Sequence, residues 1–244
     1  MEKSVLAAVT GHIMYVQHSN PFDCQSELSK MSWELTSEVE LPSLFSSATK
    51  LIMKLAIFDL DYTLWRPEMY QLNGPPHLTP IEKVKTRKLK LSPAMLKEAR
   101  TNLEDHVLVD RRGNLMRVFD GANYALEDIK RMETDGHPIQ AAAASRTDEP
   151  SWARICMQHL ALNDGTVLAE VFGDLVEISG GSKVKHLQRL SHKTGIRFED
   201  MCFFDNEQWN IEDVSRSLPV KCYYTPNGMT RQAWKDALKD SALE

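Results

Sequence analysis

Two aspartates separated by one leucine, Asp59 and Asp61, follow directly on the apolar run Leu55-Ala56-Ile57-Phe58. A buried strand of that composition would deliver Asp59 to the carboxyl edge of a sheet, where open α/β sheets hold their ligands. With the backbone extended beyond Asp59, Asp61 would point to the same side, roughly 6–7 Å along. Two carboxylates on one rim suit a hard cation, or a nucleophile beside a proton carrier. Asp-x-Asp alone also occurs in calcium loops and on plain polar surfaces. An EF-hand loop does not fit, because Thr63-Leu64-Trp65-Arg66 follows in place of spaced oxygen ligands and a turn glycine. What gives the pair weight is the order of three later groups: Ser145-Arg146, Lys183, and Asp205-Asn206.

The elements that must position these groups can be read from pattern. Strands are expected at Lys54 to Phe58, Pro138 to Ala144, Met201 to Phe204 and Val220 to Tyr224, with Val171-Phe172 as a short strand or docking segment. Helices are expected from Ala122 to Met132, from a Thr147 cap to Leu160, from Lys183 to Thr194, from Asn210 to Arg216 and beyond Thr230. Gly195 would stop the Lys183 helix. Strands alternating with helices imply a mostly parallel sheet covered on both faces, an α/β Rossmann-like three-layer domain. Such a sheet gathers its strand ends at one edge, so the four groups can converge.

Between about 66 and 119 the composition changes. Turn signals at Asn73-Gly74-Pro75-Pro76 precede a basic cluster of Lys83, Lys85, Arg87, Lys88 and Lys90. Ser92-Pro93 opens a helix predicted to run to about Leu103. His106–Val109 and Leu115–Phe119 around Gly113-Asn114 predict a β-hairpin. The segment reads as a small β-hairpin cap with an insertion lying over the sheet edge. Its basic face is a solvated surface or a guide for anionic substrates. Residues 1–53 read as an N-terminal extension, partly disordered, without a legible function.

Composition narrows the rest. A net charge of −5 argues against a dedicated nucleic-acid binder, and no apolar run reaches the length of a membrane span. The four cysteines, Cys24, Cys156, Cys202 and Cys222, are widely spaced without a Cys-x-x-Cys pair, which predicts reduced thiols in a cytoplasmic compartment. Cys202 and Cys222 lie in strand-like runs and are expected to be buried and inert. The eight histidines show no ligand spacing.

On Phe58-Asp59-Leu60-Asp61-Tyr62-Thr63-Leu64-Trp65, Asp110-Arg111-Arg112-Gly113, Ala142-Ala143-Ala144-Ser145-Arg146-Thr147, Gly181-Ser182-Lys183-Val184, His192-Lys193-Thr194-Gly195 and Phe203-Phe204-Asp205-Asn206-Glu207, the chain resembles the haloacid dehalogenase superfamily. In particular it resembles its magnesium-dependent phosphatases of the acid phosphatase type. The resemblance spans most of 54–230 and leaves out 1–53 and much of 67–105. It implies an Mg²⁺-dependent phosphomonoesterase for phosphotyrosine or sugar-phosphate substrates. Asp59 would be the nucleophile and a metal ligand, forming an aspartyl-phosphate. Asp61 would be the acid/base and would also face the metal. Ser145, Arg146 and Lys183 would hold substrate. Asp205 or Asn206 would complete the metal site. The family's usual pair is Asp-Asp, so Asn206 puts metal affinity in question.

The chemistry has a physical reason. A phosphate monoester repels a carboxylate nucleophile by about 4 kcal/mol per pair of unit charges ~4 Å apart at an effective dielectric of 20, so a cation must offset that term. A lysine in the first turn of a helix opposes the helix dipole by roughly 0.3–1 kcal/mol, a penalty that a bound anion reverses. The partners implied are a small phosphorylated metabolite or a phosphotyrosine protein, with no nucleic acid and no membrane, and a monomer is expected. The competing readings are a phosphotransferase, a dehalogenase, or a catalytically weak or inactive module that binds phosphoproteins.

Overall fold

A computed structural model describes residues 53–86 and 91–241, together with a strand pair near the N-terminus. The chain divides into two units, Met1–Ser47 and Ala48–Glu244. In the first, β1 (Ala7–Val9) pairs antiparallel with β2 (His12–Met14). The rest of the N-terminal segment, including Cys24 and the expectation of partial disorder, lies outside the described residues.

The second unit begins with β3 (Leu55–Phe58), all four residues buried. The chain then enters the insertion: β4 (Trp65–Arg66), β5 (His77–Pro80), α1 (Ile81–Thr86), α2 (Pro93–Glu98), β6 (His106–Val109) and β7 (Arg117–Val118). It returns through α3 (Asp120–Thr134), β8 (Gln140–Ser145), α4 (Pro150–His159), α5 (Leu168–Phe172), β9 (Val176–Ile178) and α6 (Lys183–Thr194). It closes with β10 (Met201–Asp205), α7 (Gln208–Ser217), β11 (Lys221–Tyr224) and α8 (Arg231–Asp240).

The sheet is five-stranded and parallel, in the order β11-β10-β3-β8-β9. Its residues alternate between two cores, as the two-residue period of a strand requires. Ala56, Phe58, Ala143 and Phe204 pack with Leu126, Ile129, Trp234 and Ala237 of α3 and α8. Leu55, Ile57, Ala142, Ala144 and Phe203 pack with Leu187, Leu190 and Val214 of α6 and α7. Both faces are covered, which explains why β3 is apolar throughout. The alanines of β8, poor strand formers by propensity, are fully or nearly fully buried between helices that large side chains would hold apart. The expected three-layer α/β class is therefore observed.

Several local expectations are corrected. Val171-Phe172 belongs to α5, where Leu168 and Phe172 are buried one turn apart. Thr147 does not cap α4; its hydroxyl accepts from Glu149 N at 3.2 Å, and the helix starts at Pro150. The Ser92-capped helix ends at Glu98, short of Leu103, and Thr101 bridges to Leu160 instead. The hairpin exists only near its turn, where Val109 faces Leu115. Beyond it the two strands take different partners: β6 pairs with β5, and β7 pairs with β4. The insertion has a small core of its own, Val84, Ala99, Val107, Val109 and Leu115. Of the basic cluster, Lys83 is exposed on α1; Arg87, Lys88, Lys90 and the side chain of Lys85 lie outside the described residues.

Candidate active site

Strand register sets the site. Phe58 is level with Phe204 of β10 and Ala143 of β8, and Asp59 N donates to Phe204 O at 2.9 Å. Asp59, Asp205 and Ala144 therefore share one level at the carboxyl edge, on three adjacent strands. Lys183, the first residue of α6, reaches in from the helix side. Its ammonium bonds Asp59 Oδ1 and the Ala144 carbonyl, and lies 3.2 Å from Asp205 Oδ2. The lysine is 1 % exposed and Asp205 is 0 % exposed, so this is a buried charge cluster, which is costly unless its geometry is satisfied.

Asp205 is fully engaged. Its Oδ1 accepts from Glu207 N at 2.8 Å, and Asn210 Nδ2 donates to both oxygens at 3.1 and 3.0 Å. Asn206 is half-buried, and its amide oxygen accepts only a long 3.4 Å bond from Thr63 Oγ1. The same hydroxyl accepts from Asn206 N at 3.0 Å, which fixes the loop after β10 against the loop after β3. Asp59 Oδ2 has no hydrogen-bond partner among the described residues.

Asp61 sits differently from the extended arrangement expected. The strand ends at Phe58 and the chain turns, with Leu64 N donating to Leu60 O at 2.9 Å and Tyr62 at φ +54°. Asp61 Oδ1 accepts the buried indole N–H of Trp65 at 2.8 Å, so Trp65 belongs both to the core and to the site. Burial raises the Asp61 carboxyl above its ordinary value, against opposing bonds from Trp65, Met69 N and the Thr147 hydroxyl. Burial also raises Asp59; Lys183 opposes this, while Asp205 and Asp61 add to it. Both carboxyls are thus pushed toward the protonated form, and Lys183 opposes the shift most directly at Asp59, which it touches.

Ser145 is buried at the end of β8, its hydroxyl accepting from Thr147 N at 3.2 Å and left with its own hydrogen to donate. Arg146 does not join the buried cluster. It is exposed, its guanidinium 4.3 Å over the ring of Trp209 on α7. Sequence reasoning left Trp65 open between core and pocket, and missed Thr63, Thr147 and Asn210 as supports.

The acid phosphatase family model matches residues 51–244. Human magnesium-dependent phosphatase 1 is 36% identical over 191 residues, covering 78% of this chain and 87% of that protein. The chain belongs to the acid phosphatase family. A second relative of this family member is an HAD-like hydrolase superfamily protein of Schizosaccharomyces pombe, 26% identical over 65% of the chain and 78% of that protein. Among solved structures, a haloacid dehalogenase-like hydrolase from Xanthomonas campestris is 11% identical, covers 79% of this chain and 98% of that one, and aligns with a TM-score of 0.47. The family match bears out the resemblance read from the motifs, and the matched region takes in every candidate site residue.

Proposed function

We propose that this member of the acid phosphatase family is a magnesium-dependent phosphomonoesterase that works through an aspartyl-phosphate on Asp59. The observation that carries the reading is the buried contact of Lys183 with Asp59 and Asp205 at the carboxyl edge of the sheet. The donor set suits Mg²⁺, which takes oxygen ligands and retains waters. Asp59 Oδ2 and the Asn206 amide oxygen are the lightly used oxygens, and Asp61 stands beside them; Asp205, saturated by Lys183, Asn210 and Glu207 N, orients the lysine instead. A bound magnesium ion would offset the negative charge of the phosphoryl group.

Asp59 attacks phosphorus as the ester bond breaks. Asp61, held toward its protonated form, gives its proton to the leaving oxygen and later takes one from water. Lys183 and the Ser145 hydroxyl stabilise the phosphoryl oxygens. Arg146 reaches substrate from the rim. The substrate class is a phosphorylated small metabolite or phosphotyrosine. Free Cys156, Cys202 and Cys222 support a reducing, cytoplasmic compartment. Among the described residues, no helix is long and apolar enough to cross a membrane.

Asp59→Asn should abolish hydrolysis of an aryl phosphate, and a chelator should abolish it in the unaltered protein. Undiminished turnover in the variant would refute the mechanism. Absence of turnover in magnesium, with retained phosphoprotein binding, would favour the inactive-module reading.

A further inference from the structure

A cavity of about 350 Å³ lies within the insertion, walled by Tyr62, Arg66, Met95, Asn114 and Arg117 among others. Two of these walls are guanidinium groups. Both bond the same carboxylate oxygen: Arg66 reaches Glu98 Oε2 at 2.7 Å and Arg117 reaches it at 3.4 Å. Two cations share one anion, so the group keeps one uncompensated positive charge. The three side chains are 23 to 32 % exposed, in surroundings that strengthen charge interactions relative to open water. Burial, followed by the neighbouring Arg66, lowers the Arg117 pKa from its ordinary value.

Arg66 carries a second sign of incompleteness. Its Nε is buried and has no hydrogen-bond partner among the described residues. A buried donor without an acceptor is costly to leave unpaired. The guanidinium carbon of Arg66 lies over the Phe119 ring, 4.8 Å from its centroid, and Tyr62 meets the same ring edge-on at 5.7 Å. The fork is thus fixed in orientation, as recognition of a planar carboxylate or a phosphate requires. Asn114 offers little, because its side-chain amide already donates to Asp110 at 2.8 Å. Tyr62 is the residue next to Asp61, so the cavity adjoins the turn that carries the candidate acid/base.

We propose that the cavity between Arg66 and Arg117 binds a carboxylate or phosphate group, borne by the leaving portion of the substrate or by a free small anion. The second source needs nothing from the catalytic reading; the first rests on it. Binding is read with malonate as the probe, on the magnesium-loaded full chain. Malonate should raise the thermal midpoint by a few degrees in the unaltered protein. Arg117→Gln should weaken its binding about tenfold or more, the loss expected for one charge-assisted bond. Glu98→Gln should tighten it, because the competing carboxylate is gone. A purely structural role for the arginines predicts the opposite for Glu98→Gln, a loss of stability with no gain in binding.

A kinetic arm separates the sources. The ratio of kcat/KM for phosphoglycerate to that for glycerol phosphate should fall about tenfold in Arg117→Gln if the substrate carries the anion. A malonate effect without a change in that ratio assigns the site to a free anion. If Arg117→Gln alters neither malonate binding nor the ratio, the site does not exist as proposed. Turnover in the unaltered chain during the same assay tests the catalytic reading separately.

Discussion

Lys183 carries more of the site than any other side chain, because among the described residues it is the one cation buried among Asp59, Asp205 and the Ala144 carbonyl. Lys183→Met keeps the volume and removes the charge, leaving two carboxylates facing each other. Breaking a buried pair in this way costs about 3–5 kcal/mol, and loss of a preorganised charge costs on the order of 10²–10³ in turnover. Urea unfolding and aryl phosphate kinetics should record both, and Lys183→Arg should recover stability more than activity. His186, one turn further along α6, makes a prediction about pH. It is buried, with only Ser179 Oγ within bonding distance, and burial first, then Lys183 and Arg189, pushes it down to about 4 from an ordinary 6.5. The unfolded chain therefore binds the extra proton between these values. This contribution is intact above the unfolded pKa and is lost as pH falls through the window toward the folded one. Thermal midpoints at about pH 7.5 and about pH 5 should differ more in the unaltered protein than in His186→Gln. These two residues also mark what the sequence discloses. The lysine could be found because it lies in one of the motifs that carry the family resemblance, a cation in a helix's first turn adding only a little; the histidine could not, because its burial depends on β8 and β9 packing beside it.

At the scale of elements, the active edge is set by a close approach that only glycine permits. A Cβ on Gly121, in the first turn of α3, would meet Met229 O at 2.3 Å and Thr230 Cα at 2.4 Å. Met229 N donates to Thr63 O at 2.9 Å, so the same loop is tied to the turn that follows Asp59. Gly121→Ala should lower unfolding free energy by about 1–3 kcal/mol, the usual cost of overpacking, and shift the urea midpoint without changing its slope. The parallel core was readable because strands such as Leu55–Phe58 and Met201–Asp205 are apolar along their whole length and end in chemistry. The cap was less readable for a specific reason. Its strands are two to four residues long and pair across the insertion, so local pattern gave a full hairpin where only the turn end forms and β4 pairs with β7 and β5 with β6 beyond it. Val171-Phe172 failed similarly: an isolated apolar pair has no period, and burial of Leu168 with Phe172 decided for a helix. The edge strand Val176–Ile178 escaped notice because it is half-buried and carries Glu177.

At the scale of the molecule, every candidate catalytic group lies between Asp59 and Asn206, inside the unit Ala48–Glu244. The family match begins at residue 51, which leaves all of Met1–Ser47 outside it. The second unit also contains both faces of the core, the helices that cover them and the insertion with its own apolar cluster. Each hydrogen bond invoked for Asp59, Asp61, Lys183, Asp205 and Asn206 is made within it. Every group named for the reaction therefore comes from the second unit. A chain beginning at Ala48 should fold cooperatively and retain kcat/KM for a small aryl phosphate within about twofold, the tolerance of removing a segment that leaves transition-state contacts intact. Its activity should vanish on chelation and return with added magnesium. Parallel kinetics of the full and shortened chains make the comparison. A folded but inactive shortened chain would mean that residues 1–47 supply part of the site, and the assignment of the reaction to the sheet edge alone would fall.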